Sequence, residues 1–373
     1  MRQVLRLLGI GIVAGAGPAM AQTIDVPLAA AQWQASDSIR FEQWQGRPAL
    51  WINKGFAWAT GVSAANGSFE ADIWTGASAQ NIGITFHTRD RNASEVIFVR
   101  PGLSGTPESV QYGPALNGTG VAWQIYHGDG ANAVANIARE TWVHLEVRVA
   151  GDTARFYLEH AAEPILTVPH LVLGPDAGGS IGVWTGAFGR GAWFSNVRYT
   201  ADNGSHPVPS PPLPIGTITD WEISQAFEAA TQTPGSLPAP ASLKWERVRA
   251  EAPGLVLLNR YRVAPARGAP GAFPDSILGG QVNGSRVVYA RTVITAAKAG
   301  IRRIHVGFSD AAVLYSNGVP LFAGFRPAYL NDLGYMNLLG DAVYLPLKAG
   351  RNEIVLAVTE YFGGWAFSAR LDP

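Results

Sequence analysis

The chain has 373 residues, a formal net charge of +0 and no cysteine. The zero net charge argues against an electrostatic hold on nucleic acid or on a membrane surface. The lack of cysteine excludes thiol catalysis, cysteine-ligated metal and disulfide support, so apolar cores must supply the stability. Charged residues make up 15% of the chain, against 43 Gly, 25 Pro and 12 Trp. That composition suits short strands and many turns.

The chain opens with MRQVLRLLGIGIVAGAGPAMAQ. Arg2 and Arg6 precede an apolar run from Leu7 to about Gly15. Ala19-Met20-Ala21 then supplies a small-x-small cleavage site. This pattern predicts a secretory signal over residues 1–21 and a mature protein, secreted or periplasmic, that begins at Gln22. The apolar run is too short to span a bilayer, and no later segment is long and apolar enough.

Residues 22–203 read as all-β. Phe69, Ala71 and Ile73 alternate with Glu70, Asp72 and Trp74, so each set occupies one face of a strand. Ile82, Ile84 and Phe86 form one face of the next. Val143, Leu145, Val147 and Val149 alternate against Trp142, His144, Glu146 and Arg148. After a Gly151-Asp152 turn, Ala154, Phe156 and Leu158 alternate again, which predicts a hairpin. Ile181–Trp184 and Trp193–Tyr199 close this half. With no long helical period present, a two-sheet sandwich buries these faces best.

HPVPSPPLP, His206–Pro214, breaks the pattern. Proline at this density favours extended polyproline II, so 204–215 reads as a semi-rigid spacer between domains. Pro234–Pro240 reads as a long loop. Residues 216–373 again read as β, with strands expected at Leu255–Tyr261, Val287–Ile294, Arg303–Phe308, Ala312–Ser316, Ala342–Leu345 and Glu353–Thr359. Asn317-Gly318 and Ala349–Asn352 are turns. The fold class expected is all-β: two β-sandwich (jelly-roll) domains joined by a Pro-rich linker.

SFEADIW (Ser68–Trp74), NIGITFHTRD (Asn81–Asp90), WVHLEVRVAG (Trp142–Gly151) and WFSNVRYT (Trp193–Thr200) together resemble a concanavalin A-like lectin/glucanase sandwich, in the laminin-G-like and 3-keto-disaccharide hydrolase neighbourhood. His305–Gly324 and Leu345–Phe367 resemble a galactose-binding-like sandwich. The resemblance implies a glycan or polysaccharide partner. Family-16 glucanases of this fold carry E-x-D-x-x-E or E-x-D-x-E on a strand. Here Glu70 and Asp72 match the first two acids, and the third is missing.

The densest cluster of hydrogen-bonding and aromatic side chains is FVRPGLSGTPESVQYGPALNGTGVAWQIYHG, Phe98–Gly128. Arg89, Arg100, Gln111, Tyr112, Trp123, Tyr126 and His127 are the expected ligand-binding residues. Aromatic faces there, and at Trp74, suit the apolar C–H faces of sugar rings. Trp123 with Ile125 also reads as core. Arg100 either pairs with Glu95 or Glu108 or reaches a ligand.

Glu70, Asp72, His87 and His127 are candidates for acid–base glycoside hydrolysis. The competing reading is a solvent-facing acidic pair at Glu70 and Asp72, an Arg89–Asp90 turn pair and a strand-end His127. His144 and Glu146 read as solvated surface, and Ser309-Asp310 as a turn. Trp365, in the aromatic loop Glu360–Trp365, either plugs the second sandwich or binds sugar. No cofactor is expected. Asn331-Asp332 offers oxygens for a structural Ca²⁺ without a full ligand set. Carbohydrate binding is the expected function, with glycoside hydrolysis and a structural or cell-surface role as alternatives.

Overall fold

The computed structural model describes residues 22–76, 81–118, 120–186, 191–201, 204–228, 237–238, 242–263, 286–326, 334–338, 340–361 and 363–373. The predicted signal segment, Asn331-Asp332 and most of the Pro234–Pro240 loop lie outside them. The regular elements of the described residues are β-strands and short 3₁₀ turns, so the chain is all-β. No helix among them is long and apolar enough to cross a membrane.

The strands up to Thr200 form two antiparallel sheets. The first has eight strands, with Thr153–Leu158, Thr141–Ala150, Gly67–Thr75, Ala192–Thr200, Arg47–Ile52 and Ile39–Trp44 side by side. The second has seven, with Val110–Leu116, Ala93–Val99, Ile82–Asp90, Ser180–Thr185 and Gly55–Ala59 in that order. Phe69, Ala71, Ile73, Val143, Leu145 and Val147 meet Ile82, Ile84, Phe86, Ile97 and Val183 between the sheets. Alternation thus delivers one face of every central strand to a dry core, as its period-2 pattern requires.

The strands from Asp220 onward form a seven-stranded and a four-stranded sheet. Ile223, Val288, Leu314, Leu356 and Phe367 lie in the core between them, with Trp365 fully buried. Trp365 plugs this core: its backbone N–H donates to Asn259 Oδ1 at 2.6 Å and its indole N–H to the Val358 carbonyl at 3.2 Å. A strand is present at each of the six expected places. Leu255–Tyr261 is shorter than expected, a strand at Leu255–Leu257 followed by a 3₁₀ turn at Leu258–Arg260. Asn317 (φ 50°) and Gly318 (φ 82°) make the anticipated tight turn. Ser309 ends one strand and Asp310 forms the bend that leads into the next, and both are fully buried.

The two halves pack on each other. Leu255, Leu257, Met336 and Ala366 belong to the same core cluster as the first sandwich. Asn117 Nδ2 donates to the Asn259 carbonyl at 2.7 Å and Arg260 donates to the Val172 carbonyl at 2.8 Å. The Pro-rich segment is not a free spacer along its whole length. Val208 N–H donates to Thr153 Oγ1 at 2.9 Å and Ser210 Oγ to Asp152 at 3.2 Å, laying it along the first sandwich.

Candidate functional site

The Phe98–Gly128 block is where the two halves meet. Arg100 is 8% exposed. Its guanidinium donates to the Glu108 carbonyl at 2.9 Å and to Gln111 Oε1 at 2.5 Å, and it lies 3.7 Å from the Glu108 carboxylate. Of its two expected roles, pairing with Glu108 is the one the geometry supplies. Gln111 is fully buried and donates to the Trp123 and Tyr126 carbonyls at 2.7 and 2.6 Å, tying down a turn rather than a strand. Tyr112 and Tyr126 are 1% and 7% exposed and meet edge to face at 5.4 Å; with His127, Asp129, His170 and Leu338 they line a small cavity of about 80 Å³. Trp123 packs, half-buried, against the apolar cluster that holds Phe98, Val121 and Trp184.

The second half covers this block. Tyr335 donates its phenol hydrogen to Glu108 and stacks on His127, with ring centroids 3.8 Å apart. His127 Nε2 lies 3.2 Å from the same carboxylate. Met336 N–H donates to the Gln124 carbonyl at 2.8 Å. A strip rich in donors, acceptors and rings is what an internal interface also needs, and the sequence alone does not separate the two uses.

The remaining candidates are dispersed. Arg89 is exposed and donates to the Gly178 carbonyl at 3.4 Å, while Asp90 accepts the Asn92 N–H at 2.6 Å. His87 is fully buried in left-handed backbone (φ 51°), with Nε2 2.8 Å from the Ala65 carbonyl. Burial pushes its pKa down, against that hydrogen bond. Glu70 and Asp72 lie on the outer face of the first sheet, on a different sheet from His87. The four acid–base candidates therefore do not converge.

Glu70 and Asp72 enclose His144. Its Nδ1 is 2.7 Å from Asp72 and its Nε2 is 3.5 Å from Glu70. Asp72 also accepts from Asn196 at 2.7 Å and Arg47 at 2.5 Å, and Glu70 from Arg198 at 2.7 Å. Burial opposes charge on all three, but the mutual hydrogen bonds outweigh it. Both carboxyls are held below their ordinary range and His144 is raised to about 9. His144 and Glu146 are 7% and 8% exposed, so this face is braced rather than solvated as expected.

Beside that cluster lies an aromatic row. Trp142 is registered opposite Trp74, and Trp193 opposite Trp51. The Phe194–Ile73 pairing brings Trp193 opposite Trp74 in the same antiparallel register. Their strands are adjacent, and on each the inward neighbours (Ile73, Val143, Phe194, Leu50, Ile52) fill the core. The indoles therefore project outward, all half-buried. Trp44 stacks on Trp193 at 3.9 Å and meets Trp74 edge-on at 6.4 Å, and Trp74 meets Trp142 at 5.7 Å. Arg40 sits 3.7 Å over Trp51, which it opposes in register, and Arg47 sits 5.1 Å over Trp142. Gly191 (φ 83°) is needed here: a Cβ would stand 2.5 Å from the Trp51 indole nitrogen.

Sequence reasoning singled out only Trp74 of this row. The signal available was tryptophan on the polar side of the alternation at Trp74 and Trp142. The register that aligns them is not written in any one strand. Among the described residues, no group of three or more His, Asp or Glu side chains has the geometry to hold a metal ion.

No protein-family model and no curated protein matches this chain. Solved structures do resemble part of it. The carbohydrate binding module CBM66 from Bacillus subtilis is 17% identical, with a TM-score of 0.35, over 45% of this chain and 95% of that one. The Bacillus licheniformis beta-glucanase is 12% identical, with a TM-score of 0.34, over 50% of this chain and 100% of that one. A glycosyl hydrolase family protein from Mycobacterium fortuitum is 13% identical, with a TM-score of 0.31, over 47% of this chain and 94% of that one.

Proposed function

We propose that this is an exported carbohydrate-binding protein that takes glycan on the outer face of its first sandwich. The observation that carries this reading is the row of tryptophans aligned across adjacent strands. Indole faces offer the apolar surface that the C–H faces of sugar rings require. Arg40, Arg47 and Glu42 along the row supply fixed polar groups for hydroxyls.

The Glu70–Asp72 pair supports binding over hydrolysis. Two-carboxylate glycosidases need one carboxyl kept protonated near neutral pH. Both carboxyls here are held ionised by His144 and arginine. Their role is to brace the strands that carry Trp74 and Trp142.

The test is a glycan array run beside a reducing-sugar release assay on protein beginning at Gln22. Binding without release, lost in Trp74→Ala, is the expected outcome. Sugar release abolished by Asp72→Asn would replace this reading with hydrolysis.

A further inference from the structure

We infer that the cavity between the two halves is a second ligand site, and that it takes a small organic ammonium ion. The site is separate from the tryptophan row and does not depend on the carbohydrate reading of that face. Three observations carry the inference.

The first is how the cavity is built. Its volume is about 80 Å³, room for about five to eight water-sized groups. Tyr112, Tyr126 and Asp129 line it from the first sandwich, Pro211 from the Pro-rich segment, and Pro253 and Leu338 from the second half. The site is therefore complete only where the halves are joined. Tyr112 and Tyr126 are inclined at 79°, so their rings make an aromatic corner rather than a flat plate. Aromatic faces attract a cation placed against them, and most strongly where water is excluded.

The second is an unspent hydroxyl. The Tyr112 hydroxyl donates to Glu95 at 2.7 Å and accepts the Val172 N–H at 3.1 Å. Tyr126 is 7% exposed, and its buried hydroxyl has no hydrogen-bond partner among the described residues. Burial, and then the charge of Glu251, push its pKa well up. Ala252 and Pro253, next to Glu251 in the chain, also line the cavity, so the hydroxyl is directed toward their side of it. Leaving a buried hydroxyl unpaired costs stability. A ligand that brings an N–H or a hydroxyl into the cavity removes that cost.

The third is charge. No Lys or Arg is among the described residues that line the cavity, and Asp129 is the one carboxylate. Asp129 is exposed and has no ion-pair or hydrogen-bond partner among them. The other charges nearby are matched. Glu251 pairs with Arg260 at 2.6 Å, Asp152 with His170 at 2.6 Å and Glu108 with His127 at 3.2 Å. An aromatic and proline-walled cavity with one unmatched carboxylate selects a cation over an anion or a neutral molecule.

The experiment is calorimetric titration of the full chain with three probes: choline, tetramethylammonium, and dimethylbutanol, the neutral molecule in which carbon replaces the charged nitrogen of choline. Choline is expected to bind about two- to thirtyfold more tightly than dimethylbutanol. Asp129→Asn, a change at an exposed position, should narrow that ratio. Tyr126→Phe keeps the ring, and should weaken choline about two- to tenfold while leaving tetramethylammonium, which has no hydroxyl, unchanged. Equal affinity for choline and dimethylbutanol, or binding of neither, would overturn the inference. So would a ratio unchanged in Asp129→Asn, or a choline affinity unchanged in Tyr126→Phe. Loss of choline binding in Trp74→Ala would place the cation on the outer face and overturn it as well. None of these outcomes alters the case for glycan on that face.

Discussion

Glu95 is fully buried in the first sandwich. Its carboxyl accepts the Leu173 N–H at 2.6 Å and the Tyr112 hydroxyl at 2.7 Å. Burial, partly offset by these donors, raises its pKa from 4.5 to about 7. The folded chain therefore holds this proton more tightly than the unfolded chain. The resulting stabilisation is full below pH 4.5 and is lost as pH rises through about 7. Its size is about 3 kcal/mol. Glu95→Gln, which mimics the neutral acid, is expected to flatten that loss in denaturant titrations across this window. An unchanged pH slope would contradict the assignment. His144 adds a second decline at higher pH, full below 6.5 and lost through about 9. Alternation alone put Glu70 and Asp72 on one face of their strand. It could not reveal that His144 neutralises them, because the partner comes from a strand about seventy residues away in sequence.

At the scale of elements, the strands of the first sandwich were legible because each has one dry face. Gly67–Thr75 and Thr141–Ala150 contain the strands expected from their period, and Ser180–Thr185 contains the expected closing strand Ile181–Trp184. Trp123–Gly128 was harder, since a turn pinned by Gln111 and a strand can share one composition. The tryptophan row belongs to the sheet and not to any strand, so it needed the register to be seen. Gly191→Ala tests how closely that row is packed. The substitution combines left-handed backbone (φ 83°) with a Cβ placed 2.5 Å from the rigid Trp51 indole. It is expected to cost about 1–3 kcal/mol and to weaken glycan binding with it. Native stability in thermal unfolding of that variant would show the contact to be slack.

At the scale of the molecule, the halves are expected to unfold together. Leu255, Leu257, Met336 and Ala366 complete a core whose other members precede residue 200. Residues 22–203 alone would expose that apolar surface and lose the Tyr335–Glu108 and Asn117–Asn259 bonds. Calorimetry of the whole chain should give one transition, and the isolated segment should melt lower and bind a hydrophobic dye. Two independent transitions, with the first matching the isolated segment, would contradict this. The Pro-rich stretch suggested separable units because proline density marks where strands stop. It carries no information on whether flanking surfaces then meet. The central claim concerns the outer face of the first sheet. Its most direct test is titration of a soluble linear β-glycan into the wild-type chain and into Trp74→Ala, with folding of both checked by near-UV circular dichroism. Roughly tenfold or greater loss of affinity in a folded variant is the predicted result. Equal affinity in the two proteins would contradict the claim.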